Sequence, residues 1–133
     1  MNTKLAAVVA VAGLLVAARQ VAAHHAFAAE FDANKPATLT GAVTKIEWTN
    51  PHAWFYLDVT DETGKVTNWS LEMGSPNGLM RAGWTRNSMK IGEVVTVEAS
   101  RAKNGSPSAN ARVVILKSTG QRLFAASSQG QQP

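Results

Sequence analysis

The sequence predicts a mainly β fold: an OB-fold-like, five-stranded small β-barrel with one short helix between strands three and four. Three observations carry that expectation. Short stretches rich in β-branched and aromatic residues alternate apolar and polar positions. A single proline-opened helical stretch interrupts them after the third. The order strand, strand, strand, helix, strand, strand is that of a Greek-key OB barrel. An immunoglobulin-like sandwich is the competing arrangement, but it calls for about seven strands and no helix over residues 76–84.

The elements follow in chain order. Residues 24–36 carry no period and end at Pro36, so they read as an N-terminal arm ahead of a domain spanning 37–126. From Ala37 to Thr49 the β-branched content rises, and Gly41 inside this first strand marks the bend by which one strand serves both halves of a barrel. Asn50-Pro51 punctuates. Ala53 to Thr60 then alternates, with Phe55, Leu57 and Val59 on one face and Trp54, Tyr56 and Asp58 on the other. Asp61-Glu62-Thr63-Gly64 reads as a hairpin loop, and Val66 to Glu72 as its antiparallel partner, with Thr67, Trp69 and Leu71 facing one way. Ser75 is the expected N-cap of a helix with Pro76 in its first turn, and Leu79, Met80 and Trp84 are expected to share its buried face. Ile91–Ala99 and Ala109–Leu116 are the fourth and fifth strands, joined by a polar loop over residues 103–108. Leu123 and Phe124 add a short closing strand, and residues 127–133 form a polar tail expected to be disordered.

Ahead of the domain, Met1 to Lys4 is short and basic, and Leu5 to Ala18 is an unbroken run of Ala, Val, Leu and Gly. That is the pattern of a secretory signal peptide and too short for comfortable membrane spanning. Val21, Ala22 and Ala23 place small residues where signal peptidase requires them, so residues 1–23 are expected to leave and His24 to become the first residue. A second acceptable cut follows Ala28. Lys4 and Arg19 would go with the leader, removing half of the formal net charge of +4. The charge that remains is too small for a polyanion binder, and export removes most nucleic-acid partners. With no cysteine the exported domain must rest on its apolar core. The expected product is a periplasmic or extracellular protein with no membrane anchor. Asn68-Trp69-Ser70 spells a glycosylation sequon, but Trp69 reads as a strand residue turned inward, and the match is read as chance.

The string His24-His25-Ala26-Phe27-Ala28-Ala29-Glu30-Phe31-Asp32 stands in register with Thr40-Gly41, Glu47-Trp48, Asn50-Pro51-His52-Ala53-Trp54 and Gly83-Trp84. Together they resemble a family of small secreted bacterial proteins, domain of unknown function 6152. The resemblance covers nearly all of the chain after the leader. It implies an exported β-barrel domain and no established activity.

All three histidines occupy unusual places: His24 and His25 at the expected mature terminus and His52 directly after Asn50-Pro51. An N-terminal histidine offers its α-amino nitrogen and its ring to one ion, and an imidazole from elsewhere completes a T-shaped set of three nitrogens. That set suits Cu(II), which heads the affinity series and accepts tetragonal geometry. The candidate metal ligands are therefore His24, His25 and His52. His25 offers a second mode, through the amine, the intervening amide and its own ring. The plainer reading is that a terminal histidine binds copper weakly in any protein, while His52 locks the Asn50-Pro51 turn through a hydrogen bond. Zinc would need a further ligand that no cysteine can supply, leaving Glu30, Asp32 or Glu47. The second candidate surface is the outward face of strand two, where Trp54 and Tyr56 could stack on a carbohydrate, peptide or envelope protein. Its plainer reading is that Phe27 and Phe31 of the arm pack on Trp54.

Arg81, Arg86, Lys90, Arg101 and Lys103 are read as solvated, and Met73, Met80 and Met89 as core. No phosphate loop or nucleophile elbow is present, so the sequence predicts a binding protein and not an enzyme.

Overall fold

A computed structural model describes residues 27–126. Within them six strands and one helix follow in order: β1 (Phe31–Glu47), β2 (Trp54–Thr60), β3 (Val66–Glu72), α1 (Pro76–Arg81), β4 (Val94–Ala102), β5 (Ser108–Leu116) and β6 (Arg122–Phe124). Residues 27–30, ahead of β1, are also helical. The fold is mainly β, with six strands where five were expected. The sixth is the short closing strand expected at Leu123 and Phe124, paired with β5 through Val113, Val114 and Ile115.

Neighbouring strands run β3-β2-β1-β4-β5, and a further pairing of β3 with β5 closes them into a ring. Each pair is antiparallel except that last one, which is parallel and only three residues long: Ser70 with Ser108, Leu71 with Ala109 and Glu72 with Asn110. A long first strand makes the closure possible. Its first part pairs with β4 through Ala42–Val94, its second with β2 from Ala42–Asp58 onward, and a bulge follows between Val43 and Lys45. Gly41 stands at this change of partner. A Cβ there would fall on the carbonyl of Asp58, so the close passage of β2 over β1 requires glycine.

Alternation along the strands fills the ring. Phe55, Leu57, Leu71, Val95, Val97 and Val114 are completely buried and belong to one apolar cluster with Leu39 and Val43. Each such side chain contributes about 1.5–3 kcal/mol by leaving water. Ser75 caps α1 by accepting a hydrogen bond from the Gly78 N–H at 3.1 Å, and Pro76 opens the first turn. Leu79 and Trp84 join the core, and the Trp84 Nε1–H donates to the Phe124 carbonyl at 2.8 Å, fastening β6 to the helix. Met80 was expected on that buried face but is half-exposed, because a six-residue helix presents one narrow stripe and Leu79 occupies it. Met73 and Met89 are core as expected.

Two boundaries also differ from expectation. Residues 31–36 belong to β1 instead of a period-less arm: Phe31 pairs with Ala102 and Pro36 with Ser100, with an irregularity between them. The fourth strand begins at Val94 and not at Ile91, because Val43 binds the turn ahead of it through both backbone groups: the Gly92 N–H donates to Val43 O at 2.7 Å and the Val43 N–H to Glu93 O at 2.9 Å.

The Gly41 contact is testable. Gly41→Ala should lower stability by about 1–3 kcal/mol or more, the cost of overpacking, read as a fall in the urea midpoint. Thr38→Ala, at an exposed position of the same strand, should leave the midpoint nearly unchanged.

Candidate functional site

One row of paired residues circles the ring. Reading the registers in turn, Pro36 pairs with Ser100, Ser100 with Asn110, Asn110 with Glu72, Glu72 with Trp54 and Trp54 with Glu47. His52 lies two residues before Trp54 and adjoins this row.

Backbone bonds fix the His52 ring. The Ala53 N–H donates to Gly74 O at 3.0 Å and the Met73 N–H to Ala53 O at 2.8 Å, continuing the β2–β3 ladder beyond the strand ends. The preceding Asn50–Pro51 peptide is cis, and the Thr49 hydroxyl donates to the His52 carbonyl at 3.3 Å. Held this way, His52 places Nδ1 at 3.0 Å from the Met73 carbonyl oxygen. A carbonyl can only accept, so Nδ1 is the donor in this contact, and Nε2 carries the lone pair whenever the ring is neutral. The side chain retains 29% of its exposure. It is an oriented imidazole with its second ring nitrogen turned away from that hydrogen bond.

Glu72 and Asn110 stand behind it. Glu72 Oε1 lies 3.9 Å from His52 Nδ1 and accepts a hydrogen bond from Asn110 Nδ2 at 3.1 Å. Asn110 is wholly buried, and its Oδ1 has no hydrogen-bond partner among the described residues. Burial, foremost, and then the charge of Glu30 push the Glu72 carboxyl above its ordinary range, while His52 and the Asn110 hydrogen bond pull it back. Glu30 itself stands at the root of the N-terminal segment, just ahead of β1. Glu30 is tied down there, its carbonyl accepting from the Lys103 N–H at 2.8 Å. A cleft of about 310 Å³ opens beside it, lined by Glu30, Phe31, Lys103, Asn104, Ser106 and Ser108.

The chain belongs to DUF6152, a family of unknown function. The family model matches residues 10–111, which takes in the row just described as far as Asn110. No curated protein and no solved structure matches this DUF6152 chain significantly.

Trp54 and Tyr56 of this DUF6152 member are both half-buried on the outer face of β2. Tyr56 is already engaged: Lys45 Nζ sits 5.3 Å from the ring centroid, and the hydroxyl donates to Glu47 Oε2 at 3.2 Å. Burial and then Glu47 raise that phenol above its ordinary range. Lys45 and Glu47 pair at 2.7 Å, so Glu47 is committed to this cluster. Phe31 is buried and meets Phe27, ring centroids 5.8 Å apart. Asp32 accepts from the Asn34 N–H in a local turn. Arg101 is exposed and lies over the half-buried Trp69 ring, 5.6 Å from its centroid.

His24 and His25 lie outside the described residues. Among the described residues His52 is the sole histidine, and no three His, Asp or Glu side chains cluster closely enough to hold a metal ion. Glu72 and Asn110 escaped the sequence reading. The available signal was Asn110 itself, a lone amide between Ala109 and Ala111 in an apolar strand, where a buried polar group needs a partner.

Glu72 makes the pH dependence of folding predictable. A carboxyl with a raised folded pKa contributes stability that is complete below its unfolded value, 4.5, and is lost as pH rises through the folded value. Glu72→Gln keeps an acceptor for Asn110 and removes the charge. Its urea midpoint should therefore exceed that of wild type at pH 7, and the gap should close on acidification toward pH ~4.

Proposed function

We propose that this chain is an exported binding protein, built on an OB-like β-barrel, that holds Cu(II) between its mature N-terminus and His52. The barrel reading draws support from the ring order, the parallel closure of β3 on β5 and the helix between β3 and β4, a combination in keeping with OB topology. Export would cut after Ala23 and leave His24 with a free α-amino group. The amine and ring of His24 supply two nitrogens and His52 Nε2 a third; His25 supplies the alternative ring. A nitrogen-rich planar set favours Cu(II) over zinc, which would call for a fourth strong donor. The protein binds and does not turn over a substrate.

The observation that carries this reading is the hydrogen bond from His52 Nδ1 to the Met73 carbonyl. Bonding the non-ligating nitrogen to a backbone carbonyl is how a metal-binding histidine is oriented. Extended, the three residues from His24 to Phe27 span up to about 10 Å.

Two measurements test it. The protein recovered from its native export route should begin at His24 by intact mass and N-terminal sequencing; a start at Ala29 would remove two of the three proposed ligands and end the proposal. In a competitive copper titration, His52→Ala should bind about tenfold more weakly or worse, roughly 1.4 kcal/mol. Equal affinity would confine copper to the terminal residues.

A further inference from the structure

We propose that the cleft between the start of β1 and the β4–β5 loop is a binding site for a small zwitterion, an amino carboxylate whose ammonium meets Glu30 and whose carboxylate meets Lys103. The site shares no residue with the copper reading. Its walls follow from the strand register. Phe31 pairs with Ala102, and the Lys103 N–H donates to the Glu30 carbonyl at 2.8 Å, which carries the antiparallel pairing one residue further. Glu30 and Lys103 are thereby set directly opposite each other, the spacing at which cross-strand side chains interact. Both line the cleft. Yet the ion pairs among the described residues are Lys45 with Glu47, His52 with Glu72 and Arg122 with Glu98, so this carboxylate and this ammonium do not close on each other.

The facing wall is shaped in advance. The Ser106 N–H donates to Asn104 Oδ1 at 3.0 Å and the Ser108 N–H to the Ser106 carbonyl at 2.8 Å, while the Pro107 carbonyl accepts from the Ser70 N–H of β3 at 3.1 Å. The loop is thus held from within and tied to the ring, which lowers the ordering cost of binding. Phe31 and Ala102 are buried and supply an apolar lining, and the Ser106 and Ser108 hydroxyls supply donors for a carboxylate. Size and charge then select the occupant. A volume of about 310 Å³ lies at the small end of the range for ligand sites. A lone anion matches Lys103 but opposes Glu30, and a lone cation does the reverse. A molecule carrying both signs meets each wall with its complement.

The test adds glycine, β-alanine and γ-aminobutyrate, which place an increasing number of methylenes between the two charges, to the full exported chain without copper and follows the backbone amides by NMR. At least one of the three should shift residues 29–31 and 102–108 saturably with millimolar affinity or tighter, while acetate and methylammonium should not. Glu30→Gln and Lys103→Gln, both at exposed positions, should each weaken that binding about tenfold or more and leave the urea midpoint unchanged. The inference is overturned if none of the three amino acids gives a saturable shift, if the shifts lie elsewhere in the chain, or if acetate or methylammonium binds as tightly. Wild-type affinity in both glutamine variants would overturn it equally.

Discussion

The three-residue parallel pairing of β3 with β5 is the constraint on which the rest of the structure depends. Without it the strands would form an open sheet ending at β3, and the apolar row of Phe55, Leu57 and Leu71 would face solvent. The closure also has a chemical consequence, because its last pair sets Glu72 against Asn110. The same few backbone hydrogen bonds that enclose the core thus bring together a carboxylate from the end of one strand and an amide from the start of another. The ladder continues past Glu72 through Met73 and Gly74 to Ala53 and so fixes His52. Core, closure and candidate site are consecutive stretches of one hydrogen-bonded edge.

This arrangement sacrifices some stability. A wholly buried amide oxygen without a partner among the described residues and a largely buried carboxylate with His52 as its ion-pair contact there are both unfavourable, by about 1–3 kcal/mol for the amide oxygen alone. Apolar residues in those positions would pack better. Gly41 is the opposite case, a residue whose absence of side chain serves the backbone crossing and nothing else. The close backbone passage at the bend of β1 and the polar groups retained beside His52 are separate design problems met by neighbouring strands.

The parts of the fold that local chemistry specifies could be read from the sequence. Alternation over residues 54–60 assigned Phe55 and Leu57 inward because a two-residue period has only two faces, and Ser75-Pro76 marked the helix start because capping is local. The bend at Gly41 was legible for the same reason. What could not be read depends on distant partners. Residues 31–36 show no alternation of their own and are strand because β4 pairs with Phe31 and Pro36 at their two ends. Ile91 sits outside the fourth strand because Val43 claims the turn at Gly92. His52 stood out as an isolated histidine after Asn50-Pro51, yet Glu72 and Asn110 did not: their meeting depends on a parallel register between segments 38 residues apart, which no local pattern encodes.

The most direct test of the whole account is a crystal structure of the naturally processed protein grown with Cu(II). The account predicts the ion on His52 Nε2 together with the amine and ring of His24 or the ring of His25, with Nδ1 still donating to the Met73 carbonyl. Copper held by the terminal residues alone, or bound to His52 through Nδ1 with that hydrogen bond broken, would contradict it.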